Sequence, residues 1–323
     1  MLGKLAYDSG FELFIVGGVP RNLVYPILHK DHEDDENAEN EGCEETAAQR
    51  AVSRLRRTND RSVLQVHEDH EDDENAENEG CEETAAQRAV SRLRRTNDRS
   101  VLQVHEDHED DENAENGVVQ RSLEKQMLTE PLANDIDLVI NTAALPWISS
   151  IKERFKLLTK RTLIIIEEFK PFQTVKVKIS GLDTYDLEFA SARTESYPEP
   201  AAFPQVTLNS NIKEDISRRD FTINSLLISL GPLNFAELID HSSALSDMKM
   251  GLVRAFHSNS FIDDPTRIYR AFRFALEYGF DIELKTSEWL KAALKDERFP
   301  LWFKKRKNRF NIELEKYRSL ITR

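Results

Sequence analysis

The first largely apolar run along the chain is Phe11, Leu13, Phe14, Ile15 and Val16, broken only by Glu12 and halted by Gly17 and Gly18. This run predicts a strand. Pro20, just past the glycines, predicts a helix start, so the segment reads as strand, turn and helix. NDIDLVIN at 134–141 predicts a second strand, with Asp135, Asp137 and Val139 on one face and Ile136, Leu138 and Ile140 on the other. In TYDLEFASAR, Tyr185, Leu187 and Phe189 alternate with Asp186 and Glu188, predicting a third. From Asp264 onward the period lengthens from two to 3.6. Asp264 is expected to cap a helix whose first residue is Pro265, with Ile268, Ala271, Phe272 and Ala275 on one face and Arg267, Arg270 and Arg273 largely opposite.

Between the first and second strands the pattern is lost to a repeat. Residues 31–68 recur unchanged at 69–106, and their first ten residues appear a third time at 107–116. Identity without drift points to a duplicated insertion rather than a stacked solenoid. Its acidic part, DHEDDENAEN, has almost no apolar surface to offset ordering entropy and is expected to be disordered. EETAAQRAVSRLRR is a candidate short helix, with Ala48, Val52 and Leu55 on one side. The cluster His67, Glu68, Asp69, His70, Glu71 and Asp72 reads either as a divalent-ion site or as a solvated acidic linker.

The repeat also distorts the charge. Each full copy holds 11 acids and 5 bases and the partial copy 6 acids, so the segment carries −18 of a total of −14 and the remainder is +4. A mildly basic remainder is compatible with RNA. The longest apolar stretches, FELFIVGGV and LIIIEEF, are far shorter than the roughly 20 residues of a membrane helix, and MLGKLAYDSG does not read as a secretory signal. A cytoplasmic location without a membrane partner is therefore expected. The two cysteines, Cys43 and Cys81, occupy equivalent repeat positions, which speaks against a disulfide framework or a thiolate zinc site.

Several segments carry candidate chemistry. The Gly17–Gly18 turn lets backbone N–H groups approach a phosphate at a helix N-terminus, with Arg21 as a bidentate cationic contact; the alternative is plain architecture. Asp135 and Asp137 point the same way, a costly pairing unless a cation such as Mg²⁺ neutralises them or the face is solvated. Either Asp186 or Glu188 can join them, or both lie in water. Three arginines on one helix side call for acidic partners, phosphate or solvent.

Taken in order, VGGVPRN, NDIDLVI, LEFASARTESYPEP, RRDFTINS and DDPTRIYRAFRFALEYGF resemble the class II tRNA nucleotidyltransferase (CCA-adding enzyme) and bacterial poly(A) polymerase family, over residues 11–30 and about 134–285. The resemblance implies an α+β fold: a nucleotidyltransferase palm of mixed sheet and helices over 1–230, interrupted by 31–116, then an all-helical neck over 231–323. It implies that Gly17, Gly18 and Arg21 hold the triphosphate and that Asp135 and Asp137 bind catalytic Mg²⁺, with Glu188 as an additional carboxylate. Arg219, Asp220 and Asn224 would contact the nucleotide, Asp264 and Arg267 would read its base, and Arg270 and Arg273 fall on nucleotide-binding positions. ATP and CTP are the implied substrates and a tRNA 3′ end the acceptor, with A-only or poly(A) addition equally open. The turn departs from the family's usual GGxVRD, since Pro20 stands for valine and Asn22 for aspartate. After LEYGFDIE only a helical segment with Lys304, Lys305, Arg306, Lys307 and Arg309 remains. Body and tail domains are therefore expected to be absent, leaving an active enzyme, an inactive remnant, or a split enzyme needing a partner chain.

Overall fold

The computed structural model describes residues 1–29, 109–129, 132–208 and 211–321. The candidate helix and metal cluster of the repeat lie outside the described residues. Helix α1 (Leu2–Asp8) precedes β1 (Leu13–Val16) and α2 (Gly18–Leu28); α3 (Glu109–Thr129), β2 (Asp135–Ile140) and α4 (Ala144–Thr159) follow. Then come β3 (Leu163–Phe169), β4 (Thr174–Ile179), β5 (Asp186–Ser191), the hairpin β6 (Arg193–Ser196) and β7 (Gln205–Leu208), and α5 (Ile212–Ser217). Strands β8 (Leu227–Ser229) and β9 (Leu238–Ile239) complete a seven-stranded sheet of order β3-β4-β5-β2-β1-β8-β9. The β2–β5 pair is parallel and the other pairs are antiparallel, so the sheet is mixed, as expected.

The two sheet faces differ sharply. On one, Leu13, Ile15, Ile136, Leu138, Ile140, Leu187 and Phe189 pack against Trp147, Ile148, Ile151 and Phe155 of α4 and Leu5 of α1 in the main core. The other buries only one end, where Phe14, Val16, Val139 and Leu227 meet Ile212 and Ile216 of α5. Asp135, Asp137 and Glu188 lie on the uncovered part of that face, in the alternation their spacing predicts.

The C-terminal part comprises α6 (Ala244–Lys249), β10 (Leu252–Val253), α7 (Ser260–Asp263), α8 (Arg267–Tyr278), β11 (Asp281–Ile282), α9 (Leu284–Leu294) and α10 (Phe299–Ile321). Three expectations need correction here. This part is predominantly but not wholly helical, because β10 and β11 form a parallel bridge and β9, beyond residue 230, still belongs to the palm sheet. The acidic end of the third repeat copy, expected to be disordered, forms the first turns of α3. Val119 and Leu123 are buried against the domain and anchor that helix, which propagates backward more cheaply than it nucleates. Helix α8 starts at Arg267, not Pro265, and its buried aromatic is Phe274, with Phe272 and Ala275 only partly covered. Among the described residues no helix is long and apolar enough to cross a membrane.

Candidate active site

Sheet register assembles the acids. Asp137 pairs with Val16 on one side and with Glu188 on the other, and Asp135 pairs with Asp186. The two third-acid candidates thereby separate. Asp186 is taken up by Lys176 Nζ at 2.7 Å and Lys178 Nζ at 3.4 Å, which hold its pKa below the usual carboxylate value. Glu188 stands beside Asp137. Partial enclosure, with Glu188 and Asp135 nearby, pushes the Asp137 pKa up to about 6, against the pull of Arg219. A raised acid among acids is an uncompensated negative charge.

The glycine turn closes over this charge. Gly17, the residue before α2, has φ 73°, and a Cβ built on it would stand 2.9 Å from Asp137 Oδ2. Both the left-handed backbone and the close approach require glycine. Gly18 opens α2, and Pro20 sits in its first turn rather than at its first position. Arg219 ties the acids to the next motif. Its Nη2 donates to Asp215 Oδ2 at 2.9 Å and its Nη1 to the Asn224 carbonyl at 3.1 Å, while its buried Nε has no partner among the described residues.

A second group of predicted residues forms one chain of hydrogen bonds across the palm–neck junction. Buried Arg21 donates through Nη1 to Asn224 Oδ1 and through Nε to the Tyr278 hydroxyl at 2.8 Å, and its guanidinium lies 4.8 Å from the Phe274 ring centre. Asn22, in place of the family's aspartate, still accepts from Arg21 Nε and Nη2 at 3.3 Å, so the amide keeps an orienting contact. Asn224 Nδ2 donates to Asp220 Oδ1 at 2.9 Å, and Arg270 Nε donates to Asp220 Oδ2 at 2.7 Å. Arg270 and Arg273 both reach Glu313 of α10 at 3.3 Å, and Arg273 also pairs with Glu277 at 3.0 Å. These partners, Arg270 foremost, hold buried Asp220 well below the usual carboxylate range.

The third group is the neck turn. Asp264 Oδ1 accepts from the Thr266 N–H at 3.1 Å and its hydroxyl at 2.6 Å, closing the turn that leads into α8, and Arg309 approaches Oδ2 at 3.5 Å. Arg267 donates to Ser260 Oγ at 2.7 Å and to the Arg218 carbonyl at 2.9 Å. It lines a polar cavity of about 360 Å³ with Glu195, Tyr197, Arg218, His257 and Asp263.

Sequence reasoning missed Asp215 and Glu313. Both are buried acids that organise arginines, and each had a signal: a charged residue on an otherwise apolar helix stripe. On α10 that stripe runs Trp302, Arg306, Phe310, Glu313 and Tyr317, and Arg306 on it donates to the Ala201 carbonyl at 2.9 Å instead of facing RNA.

The site's oxygens suit a hard divalent cation. Mg²⁺ typically takes one or two carboxylates and completes its shell with water and substrate phosphate, and a raised Asp137 beside Glu188 is a charge such an ion relieves. Among the described residues no three metal-binding side chains already converge, so the protein offers part of a shell and not a closed cage.

The mixed sheet with open carboxylates, the glycine turn above them and the arginine-bearing helix beside them define a nucleotidyltransferase palm followed by a mainly helical neck. Residues 117–254 match the model of the poly A polymerase head domain. An A-adding tRNA nucleotidyltransferase of Aquifex aeolicus is 40% identical over 160 residues, covering 50% of this chain and 18% of that protein. An A-adding enzyme of Halalkalibacterium halodurans is 36% identical over 163 residues, covering 50% and 36%. A Thermotoga maritima CCA-adding enzyme complexed with tRNA shares the fold, with a TM-score of 0.50 at 22% identity, over 98% of this chain and 45% of that one. Over residues 117–254 the chain is thus similar to the poly A polymerase head domain, and it spans 18%, 36% and 45% of the length of these three relatives.

Proposed function

We propose that this chain is the nucleotide-binding and catalytic part of a template-independent RNA nucleotidyltransferase, adding C, A or both from CTP and ATP to tRNA 3′ ends. Its location is read as cytoplasmic. The single observation that carries this reading is the raised Asp137, flanked by Glu188 and covered by the Gly17 turn. An unrelieved negative charge under a phosphate-sized backbone turn is what a metal-bound triphosphate neutralises.

In this reading the Gly17–Gly18 amides seat the triphosphate, and the unpartnered Nε of Arg219 offers a donor beside Asp137. Asp135 and Asp137 would hold Mg²⁺, with Glu188 as a further carboxylate, and the ion would supply electrophilic charge at the reacting phosphate. Asp264 and Arg267 face the base, where a fixed acid and guanidinium reject a wrong hydrogen-bonding edge at about 1–3 kcal/mol per unpaired group. Arg21, Asn224, Asp220 and Arg270 act behind them, locking the neck against the palm. The RNA 3′-hydroxyl attacks the α-phosphate in line and pyrophosphate leaves, with positioning and electrostatics supplying most of the acceleration.

The test is extension of a tRNA lacking its 3′ end by the purified chain with Mg²⁺ and labelled CTP or ATP, beside Asp137→Asn and a version without residues 31–116. Extension by the full chain and none by Asp137→Asn is the expected result, and undiminished extension by Asp137→Asn overturns it. Extension only by the shortened version assigns an inhibitory role to the repeat, and extension only on adding a second chain identifies a split enzyme.

A further inference from the structure

The open sheet face continues beyond the acids. Val16, Asp137, Glu188, Lys176 and Glu167 are successive register partners across β1, β2, β5, β4 and β3, so their side chains lie in one row. At about 4.8 Å per strand, the Lys176 backbone is roughly 10 Å from that of Asp137, within reach of a substrate seated on the acids. Lys178, two residues on, shares the face.

Three features of this shelf are not explained by the site already described. Lys176 and Lys178 converge on one carboxylate, Asp186, and about a third of each side chain stays exposed, so the trio keeps one net positive charge between the flanking Glu167 and Glu188. Next to it, edge strand β3 exposes Ile164, Ile166 and Phe169, and Phe169 stacks obliquely at 5.2 Å on half-buried Phe172, whose ring also carries the Arg193 guanidinium at 5.0 Å. The shelf lies across the acids from the glycine turn. In-line transfer puts the attacking and leaving oxygens on opposite sides of the phosphorus, so an acceptor must enter opposite the triphosphate seat.

We propose that Lys176 and Lys178 seat the last phosphates of the acceptor RNA strand, with Phe169 and Phe172 as a stacking platform for its unpaired bases. This rests on the transferase reading, because the triphosphate seat fixes the side of entry. Cations beside an exposed aromatic and its half-buried neighbour suit single-stranded RNA, whose phosphates pair with ammonium groups while its bases stack without sequence preference. Asp186 holds the two lysines side by side until phosphate replaces it.

The experiment is fluorescence-anisotropy binding of a labelled acceptor-stem minihelix, lacking its last nucleotides, to the full chain across a salt series, with KM values from extension assays. Lys176→Gln/Lys178→Gln is expected to weaken minihelix binding on the order of tenfold at low salt and to flatten the log–log salt slope by about 0.7 per lysine. ATP binding measured without RNA should stay unchanged, which a general folding defect would not allow. Asp186→Asn, which frees both lysines, is expected to tighten RNA binding. Wild-type affinity and slope in the double variant would overturn the proposal. Extension by the wild-type chain with an unaltered RNA KM in the double variant keeps the transferase and removes the clamp. Lysine-dependent binding without any nucleotide addition keeps the clamp and removes the transferase.

Discussion

The acids of the palm and the arginines of the neck are both dense charge clusters, yet they are resolved in opposite ways. Asp135, Asp137 and Glu188 line neighbouring positions of one sheet face, and partial burial, then the nearby Glu188 and Asp135, push the Asp137 pKa up to about 6 against the pull of Arg219. Arg270 and Arg273 of the neck are matched by Asp220, Glu313 and Glu277, while Arg21 of α2 is held by the neutral Asn224 and Tyr278, and all three lie around the Phe274 ring. An unmatched cluster costs stability and is poised for a ligand; a matched one resists disturbance and serves as a frame. On the proposed reading, reactivity belongs to the first region and rigidity to the second.

That division is open to attack from either side. The largest effect is expected in the frame: Asp220→Ala strands Arg270 and Asn224 and should cost about 3–5 kcal/mol, measured by urea unfolding. A loss below about 1 kcal/mol would show that the network is ornamental. Asp137→Asn should cut transfer by at least about 10²–10³-fold with the frame intact. Gly17→Ala is expected to cost about 1–2 kcal/mol through its left-handed backbone and to displace Asp137, lowering activity as well.

The smallest effect sharpens the contrast most. Without metal, the raised folded pKa of Asp137 means that its contribution to stability is fully present below the unfolded value of 3.8 and is lost as pH rises through about 6. Asp137→Asn removes that loss. The metal-free variant should therefore melt higher than the parent above pH 6, by roughly 2–4 °C for about 1 kcal/mol after solvent screening, and the gap should close below pH 4. Equal melting temperatures at pH 8 would show that burial and the neighbouring acids do not raise Asp137 in this way.

The strands around the site were legible because alternation is a local property. Asp135 and Asp137 share a face because they are two residues apart on an extended chain, whatever surrounds them. The turn at Gly17 was equally local, since two glycines after an apolar run leave few alternatives. Legibility failed where partners come from afar. Nothing near TYDLEFAS tells that Asp186 will be captured by lysines ten and eight residues earlier, because the register sets Lys176 opposite Glu188 and only its side chain, reaching diagonally across the β4–β5 pair, selects Asp186. Helix α8 misled in the same way: its helical period was visible, but Phe274 is buried because Arg21, Arg270 and Arg273 close over it.

By itself, then, the sequence determined the segments, the order of the motifs and which side chains share a face, all consequences of backbone geometry over a few residues. Only the tertiary structure decided which charges are spent and which stay available. Glu313 bridges Arg270 and Arg273 from about 40 residues away, whereas Asp137 meets Glu188 in its row, and the sum of charges at a point depends on every chain segment that reaches it.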